Sequence, residues 1–146
     1  MGTQFTVSSP GRADFLNTHQ DYKGLPVVPA AINLRLYISA KKSRSNEFTV
    51  RSFDLEKFNE SSTDSFEIKV NEMHGKKFFG NYLRGVVNVL IKRGLAENLQ
   101  GMDVTIRSEI PIGSGLASSA ALEVAFTELL NHAFNLGLER KDVAEI

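Results

Sequence analysis

The sequence has no cysteine, no net charge and no long hydrophobic run, and each absence excludes a class of protein or site. Without cysteine, its 146 residues form neither disulfides nor thiolate metal sites. Seventeen basic and seventeen acidic side chains cancel, which argues against a nucleic-acid-binding surface. No stretch approaches the roughly 18 consecutive apolar residues of a membrane-spanning helix, and the first residues do not resemble a signal peptide. We therefore expect a cytoplasmic protein with no nucleic-acid or membrane partner.

The order of hydrophobic patterns predicts the fold class. Apolar residues alternate in three short stretches of the first half, around Leu36, Phe48 and Phe66, which indicates half-buried strands. Between the last two stretches, "NESSTDS" is typical of an exposed loop, and Pro10 and Gly11 are expected to break the first strand. Pro26 and Pro29 predict an edge strand or a bent strand entry, since proline is excluded from central strands.

The second half changes to helical spacing. Apolar residues from Phe79 to Ile91 predict a helix that stops near Gly94, and a strand follows from Met102 to Ile110. A second helix is predicted to about Phe134, and "ERKDVAEI" begins another. Strands followed by helix, strand and helix predict an α+β fold, with helices packed on one face of a mixed or antiparallel sheet.

One segment, "PIGSGLASSAALEVA" at residues 111–125, carries a candidate site at a helix entrance. The first turn of a helix offers unpaired N–H groups and a partial positive charge, and glycine lets an anion approach the backbone. The hydroxyls of Ser114, Ser118 and Ser119 could bind phosphate oxygens or hydrated Mg²⁺. The segment lacks the lysine of a Walker A loop and does not fit a dinucleotide fingerprint. From the residues alone, a phosphate site and a serine-capped turn both remain open.

The same segment resembles the second signature motif of the GHMP kinases, without a gap from Pro111 to Ala121. In that family the motif wraps the phosphates of ATP. The resemblance implies that ATP and Mg²⁺ are the cofactors, with Ser119 as the metal ligand. It implies these ATP-binding residues: Gly113, Ser114, Gly115, Leu116, Ala117, Ser118 and Ser119.

A second resemblance lies near the start, where "SPGRADFLNTHQDYKG" is similar to the galactokinase signature. It implies that Arg12 stabilises the transferring phosphoryl group and that a sugar is bound by His19, Asp21 and Tyr22. "VVPAAI" and "GNYLRGV" also resemble stretches of that family, in the same order. Thr18 stands where the family has an acid that holds the sugar, so the resemblance leaves the identity of the sugar open.

Together the resemblances imply a GHMP-kinase N-terminal domain, with the architecture of a ribosomal protein S5 domain. The implied function is transfer of the γ-phosphoryl group of ATP to the anomeric hydroxyl of galactose or a related sugar. The family's catalytic aspartate would fall beyond Ile146, so we expect residues 1–146 to be the N-terminal portion of a longer kinase. Alone, that portion is expected to be inactive and to self-associate. Two alternatives stay open: a non-catalytic sensor of sugar and ATP, and a GHMP kinase for another small molecule.

Overall fold

The computed structural model describes residues 2–16, 23–58, 60–75 and 78–146. Within these residues the chain forms one sheet and several helices. In chain order the elements are β1 (Gln4–Asp14), β2 (Pro29–Lys42), β3 (Glu47–Ser52), α1 (Phe53–Lys57), β4 (Thr63–Glu67), α2 (Gly80–Lys92), β5 (Met102–Ser108), α3 (Ser118–Phe134) and α4 (Arg140–Glu145).

The strands lie in the order β1-β2-β5-β3-β4 and form a mixed sheet. Three of the four pairings are antiparallel, and only β3 and β5 run parallel. The chain leaves β3, forms β4 at the sheet edge, and crosses through α2 before β5 returns beside β3. A parallel pair requires such a crossover, whereas the antiparallel strands β3 and β4 are joined by residues 53–62, which include α1.

One face of the sheet carries the core, and the helices α2 and α3 pack on it. Alternate strand residues such as Ile38, Phe48 and Val104 are buried, whereas their neighbours along each strand are more exposed. Phe126 of α3 meets Phe48 edge to face, with ring centroids 5.5 Å apart. These observations confirm the predicted α+β fold with a mixed sheet.

The helices follow the predicted spacing. The helix α2 ends at Lys92, two residues before Gly94, whose φ of 71° suits the left-handed position after a helix. The helix α3 ends at Phe134, as predicted, and α4 forms within the "ERKDVAEI" stretch. None of the helices in the described part of the chain is both long and apolar enough to cross a membrane.

Two sequence-based expectations were wrong, and a third was wrong in one of its two alternatives. The strand β1 does not stop at Pro10 and Gly11 but continues to Asp14, with a register shift between Pro10 and Arg12. Because β1 is an edge strand, a proline and an irregularity are tolerated there. Of the two alternatives predicted from Pro26 and Pro29, the edge strand is wrong because β2 is central, whereas a proline at the strand entry is found, since Pro29 is the first residue of β2.

The second error concerns residues 59–65, which were predicted as an exposed loop although β4 begins among them; the short helix α1 before them was not predicted. The strand β4 begins at Thr63, inside the predicted loop, because pairing with β3 and an ion pair from α2 hold its polar residues. The carboxylate of Asp64 accepts hydrogen bonds from Arg84 Nε (2.9 Å) and Nη2 (2.6 Å), and both side chains are buried. The polar composition of this segment predicted that it would be exposed. The ion pair with Arg84, which is distant in sequence, instead allows Asp64 to be buried.

The helix α2 also holds the segment 71–74 through two asparagine side chains. The Asn81 amide accepts a hydrogen bond from the N–H of His74 (2.8 Å) and donates to its carbonyl (2.9 Å). Asn88 makes the same pair of bonds with Asn71, at 2.7 and 2.9 Å. Since an amide side chain matches the donor and acceptor of a peptide group, this segment obtains ladder-like bonds without a neighbouring strand.

Candidate phosphate-binding site

The loop before α3 has an unusual backbone, in which φ alternates in sign. Gly113, Gly115 and Ala117 have φ of 71°, 74° and 57°, whereas the residues between them do not have positive φ. Such alternation turns successive N–H groups towards one side and creates a concavity that binds anions. Ala117 adopts the left-handed conformation without being glycine, which costs roughly 1–2 kcal/mol. Backbone strain of this kind is characteristic of functional sites.

The two glycines are not explained by crowding. A Cβ built on Gly113 or on Gly115 would have no other atom within 4 Å. Their positive φ is therefore the reason that the loop needs glycine. The open space beside them is where a ligand would approach the backbone.

Arg12 and the start of α3 line one open depression of about 340 Å³ with this loop. The lining also includes Ser118 and Ser119 in the first turn of α3, a turn that contains no acidic residue. The first N–H groups of a helix have no intrahelical partner and carry partial positive charge, and the guanidinium adds a permanent cation. The depression is therefore suited to a polyanion.

Two residues of the predicted set serve the loop itself. The hydroxyl of Ser114 donates to the Pro111 carbonyl (2.7 Å), and the Ser114 N–H reaches the same oxygen, so this side chain closes the turn. The carbonyl of Leu116 accepts from the Arg12 N–H (2.9 Å), and the Leu116 side chain packs against the core. The structure thus brings Arg12 of β1 to the loop, although the two are a hundred positions apart.

The entrance of the loop is fixed by side chains that the sequence did not reveal. The carboxylate of Asp54 accepts from the N–H of Ser108 (2.5 Å), at the end of β5. One residue further, Glu109 exchanges hydrogen bonds with the backbone of Arg35 on β2. The Arg35 guanidinium in turn donates to Ser8 on β1, at 2.9 Å to the hydroxyl. These links span 27 to 74 positions, so no local pattern could have predicted them.

A second cleft of about 200 Å³ adjoins the depression, because Ser118 and Ser119 line both. Its walls are mainly apolar, and Asp54 and Ser52 add polar groups. The apolar and aromatic lining includes Leu36, Leu55, Phe79, Tyr82, Ile106, Ile110, Ile112 and Leu122. The site therefore combines an end suited to an anion with an apolar compartment.

The predicted sugar-binding residues His19, Asp21 and Tyr22 lie outside the described residues. The described residues on either side of them are hydrogen-bonded to one another. The Phe15 N–H donates to the Val28 carbonyl (3.2 Å), and the carboxylate of Asp14 accepts from the N–H groups of Leu16 and Val28. These bonds lie at the end of β1, the strand that supplies Arg12 to the depression.

Glu123 lies on α3 four residues after Ser119, and its carboxyl group is half-buried. Burial raises the pKa of Glu123 above its usual value of 4.5. The folded chain therefore holds a proton at pH values where the unfolded chain has lost it. Over that interval, stability falls as the pH rises.

We therefore expect Glu123→Gln to increase the free energy of unfolding at pH 7 and to change it less at pH 4, where both states are largely protonated. Urea denaturation at the two pH values measures the difference. Glu97→Gln, at an exposed position, controls for the loss of a carboxylate. An equal effect of Glu123→Gln at both pH values would contradict the role of burial.

Comparisons with known proteins match both parts of the chain that line this depression. A family model described as GHMP kinases N terminal domain matches residues 81–146, which include the loop and α3. A second, described as Galactokinase galactose-binding signature, matches residues 1–42, which include Arg12. The galactokinase of Glaesserella parasuis is 34% identical over 144 residues, or 99% of this chain and 36% of the relative. That of Ligilactobacillus salivarius is 34% identical over 97% of this chain.

Solved structures give the same result. The crystal structure of Lactococcus lactis galactokinase complexed with galactose superimposes with a TM-score of 0.83 and 29% identity, over 97% of this chain and 36% of that one. Methanococcus jannaschii mevalonate kinase shares the fold, with a TM-score of 0.79 and 20% identity over 99% of this chain and 44% of that one. The chain spans about a third of the length of the curated relatives it matches. The chain therefore resembles the N-terminal portion of a galactokinase-like GHMP kinase.

Proposed function

We propose that the chain, residues 1–146, is the N-terminal domain of a longer ATP-dependent sugar kinase. The reaction is transfer of the γ-phosphoryl group of ATP to the anomeric hydroxyl of galactose or a related sugar. The bond from the γ-phosphorus to its bridging oxygen breaks and a bond to the sugar oxygen forms, yielding ADP, a sugar 1-phosphate and a proton. Relatives at 34% identity that are galactokinases support this assignment. ATP and sugar are cytoplasmic metabolites, so the proposal includes a cytoplasmic location.

The observation that carries the proposal is the loop with three positive-φ residues at the N-terminus of α3, with Arg12 beside it. Backbone N–H groups of the segment 113–119 that are not bonded within the turn bind the triphosphate, and Arg12 stabilises the charge that develops on the transferring group. Catalysis of phosphoryl transfer depends mainly on such alignment and electrostatic stabilisation. The adjoining apolar cleft has the chemistry to take the uncharged base of the nucleotide.

The donor chemistry at this site fits Mg²⁺ bound together with ATP. In the described residues, no three acidic or histidine side chains are grouped to hold a metal ion by themselves. Magnesium in nucleotide sites is commonly held by one or two protein oxygens and by the phosphates. We assign Ser119 as its protein ligand, since this residue lines the depression at the helix start. The bound ion would neutralise phosphate charge.

For the sugar, the proposal assigns His19, Asp21 and Tyr22, which can bind hydroxyl groups and offer an apolar ring face. These residues come shortly after β1, the strand that supplies Arg12, so the proposal has the sugar meet the phosphate end of the nucleotide. A match to the galactose-binding signature supports this placement. Thr18, in place of the family's acid, keeps related sugars within the proposal.

The experiment that tests the function is a panel of free sugars, offered with ATP and Mg²⁺ to the complete gene product. We expect phosphorylation of galactose or a related aldose at the anomeric position, detected by coupled ADP release and product analysis. Phosphorylation of isoprenoid alcohols or amino acids alone would overturn the sugar assignment. Binding of ATP and sugar without turnover would identify a sensor instead of a kinase.

A further inference from the structure

The loop before α3, at residues 113–117, is the phosphate loop of the proposed site. Its contact with β1 depends on Gly11, a residue without a side chain. Gly11 is buried, and its φ is not positive, so its backbone conformation does not require glycine. Space does. A Cβ on Gly11 would lie 3.0 Å from the Leu116 carbonyl oxygen, 3.0 Å from Ile32 Cδ1 and 3.2 Å from Ile110 Cδ1.

Of these three neighbours, the Leu116 carbonyl belongs to the loop. It accepts the Arg12 N–H at 2.9 Å, one residue beyond Gly11. The residue that follows is Ala117, held at a φ of 57°, and then α3 begins. A displacement of the Leu116 peptide therefore moves the N–H groups at the helix start relative to Arg12.

We propose that Gly11 is a positioning residue for the phosphate loop. Its missing Cβ lets β1 approach the Leu116 carbonyl, and this contact fixes the position of the loop relative to Arg12. The functional part of this inference rests on the proposed function, because its consequence is measured as nucleotide affinity. The geometric part does not, because the position of the loop can be observed without a nucleotide.

Gly11→Ala tests both parts. We expect the backbone amide resonances of residues 113–119 to shift, and the affinity for MgATP to fall about ten-fold, equivalent to one lost hydrogen bond to a charged group. Isothermal titration measures the affinity, and ¹⁵N-correlated NMR spectra report the loop. Gly85→Ala is the matched control, since its added methyl group makes an ordinary contact at 3.8 Å with Met73 and should leave both readouts unchanged.

A second variant background separates an effect on the phosphate loop from a general packing defect. Ile32→Val with Ile110→Val removes both Cδ1 atoms but leaves the Leu116 carbonyl in place. We expect Gly11→Ala in this background to unfold at nearly the temperature of its parent and still to shift the loop and weaken MgATP binding. Recovery of the loop resonances and the affinity would overturn the inference, because overpacking would then explain the defect. Shifted loop resonances in a chain whose unsubstituted form binds no MgATP would support the positioning role and refute the proposed function.

Discussion

Replacing Arg84 by leucine should lower the free energy of unfolding by about 3–5 kcal/mol, because it leaves a buried carboxylate without its cation. The side chains of Arg84 and Asp64 are 8% and 6% exposed. Arg84 also donates to the Ser65 carbonyl (3.1 Å) and stacks over the ring of Phe66, so the pair joins α2 to β4. Urea denaturation of the chain measures the loss.

The control for this prediction is an exposed pair of the same chemistry. Arg51 and Glu56 form an ion pair at 2.9 Å with side chains 51% and 48% exposed, and Arg51→Leu should cost less than about 1 kcal/mol. In the double variant Asp64→Asn/Arg84→Leu, the buried charge is gone and part of the stability should return. Similar costs at the buried and exposed sites would show that burial of the carboxylate is not the cause.

Gly115→Ala should weaken MgATP binding about 100-fold, equivalent to the loss of about two hydrogen bonds to a charged group. The added Cβ enters the depression where the triphosphate approaches the backbone, and the φ of 74° disfavours any residue with a side chain. Isothermal titration with MgATP gives the affinity, and urea denaturation gives the stability.

Gly137→Ala is the matched control for Gly115→Ala. Gly137 has a φ of 72°, and its Cβ would also meet no atom within 4 Å, but it lies beyond the end of α3, far along the chain from the loop. Both variants should therefore lose a similar stability, about 1–2 kcal/mol, and only Gly115→Ala should lose affinity. Equal affinities for the two variants would refute a nucleotide site at this loop.

The parts of the fold that the sequence predicted are those with a local cause. The spacing of apolar residues from Phe79 to Ile91 was sufficient for α2, and the glycines and serines before α3 were sufficient to locate the candidate site. The start of β4 within residues 59–65 was taken for a loop and α1 was not predicted, because polar side chains of these segments obtain partners from distant elements. Asp64 meets Arg84 twenty positions away, and Asp54 meets the Ser108 N–H fifty-four positions away.

The candidate site was predictable in composition but not in assembly. The loop from Gly113 to Ser119 has a recognisable chemistry, and so does Arg12. Their meeting depends on β1 continuing past Pro10, which local propensity argued against. The sugar-binding role of His19, Asp21 and Tyr22 stays a prediction, because it derives from resemblance to the galactokinase signature.

The irregularity in β1 has a consequence for association between chains. An edge strand with a regular row of free N–H and C=O groups is a template for a strand of another molecule. In β1 that row is interrupted: Pro10 has no N–H, the register shifts between Pro10 and Arg12, and the Arg12 N–H is already bonded to Leu116. The irregularity of β1 beside the loop therefore also makes this edge a poor template for amyloid-like strand addition.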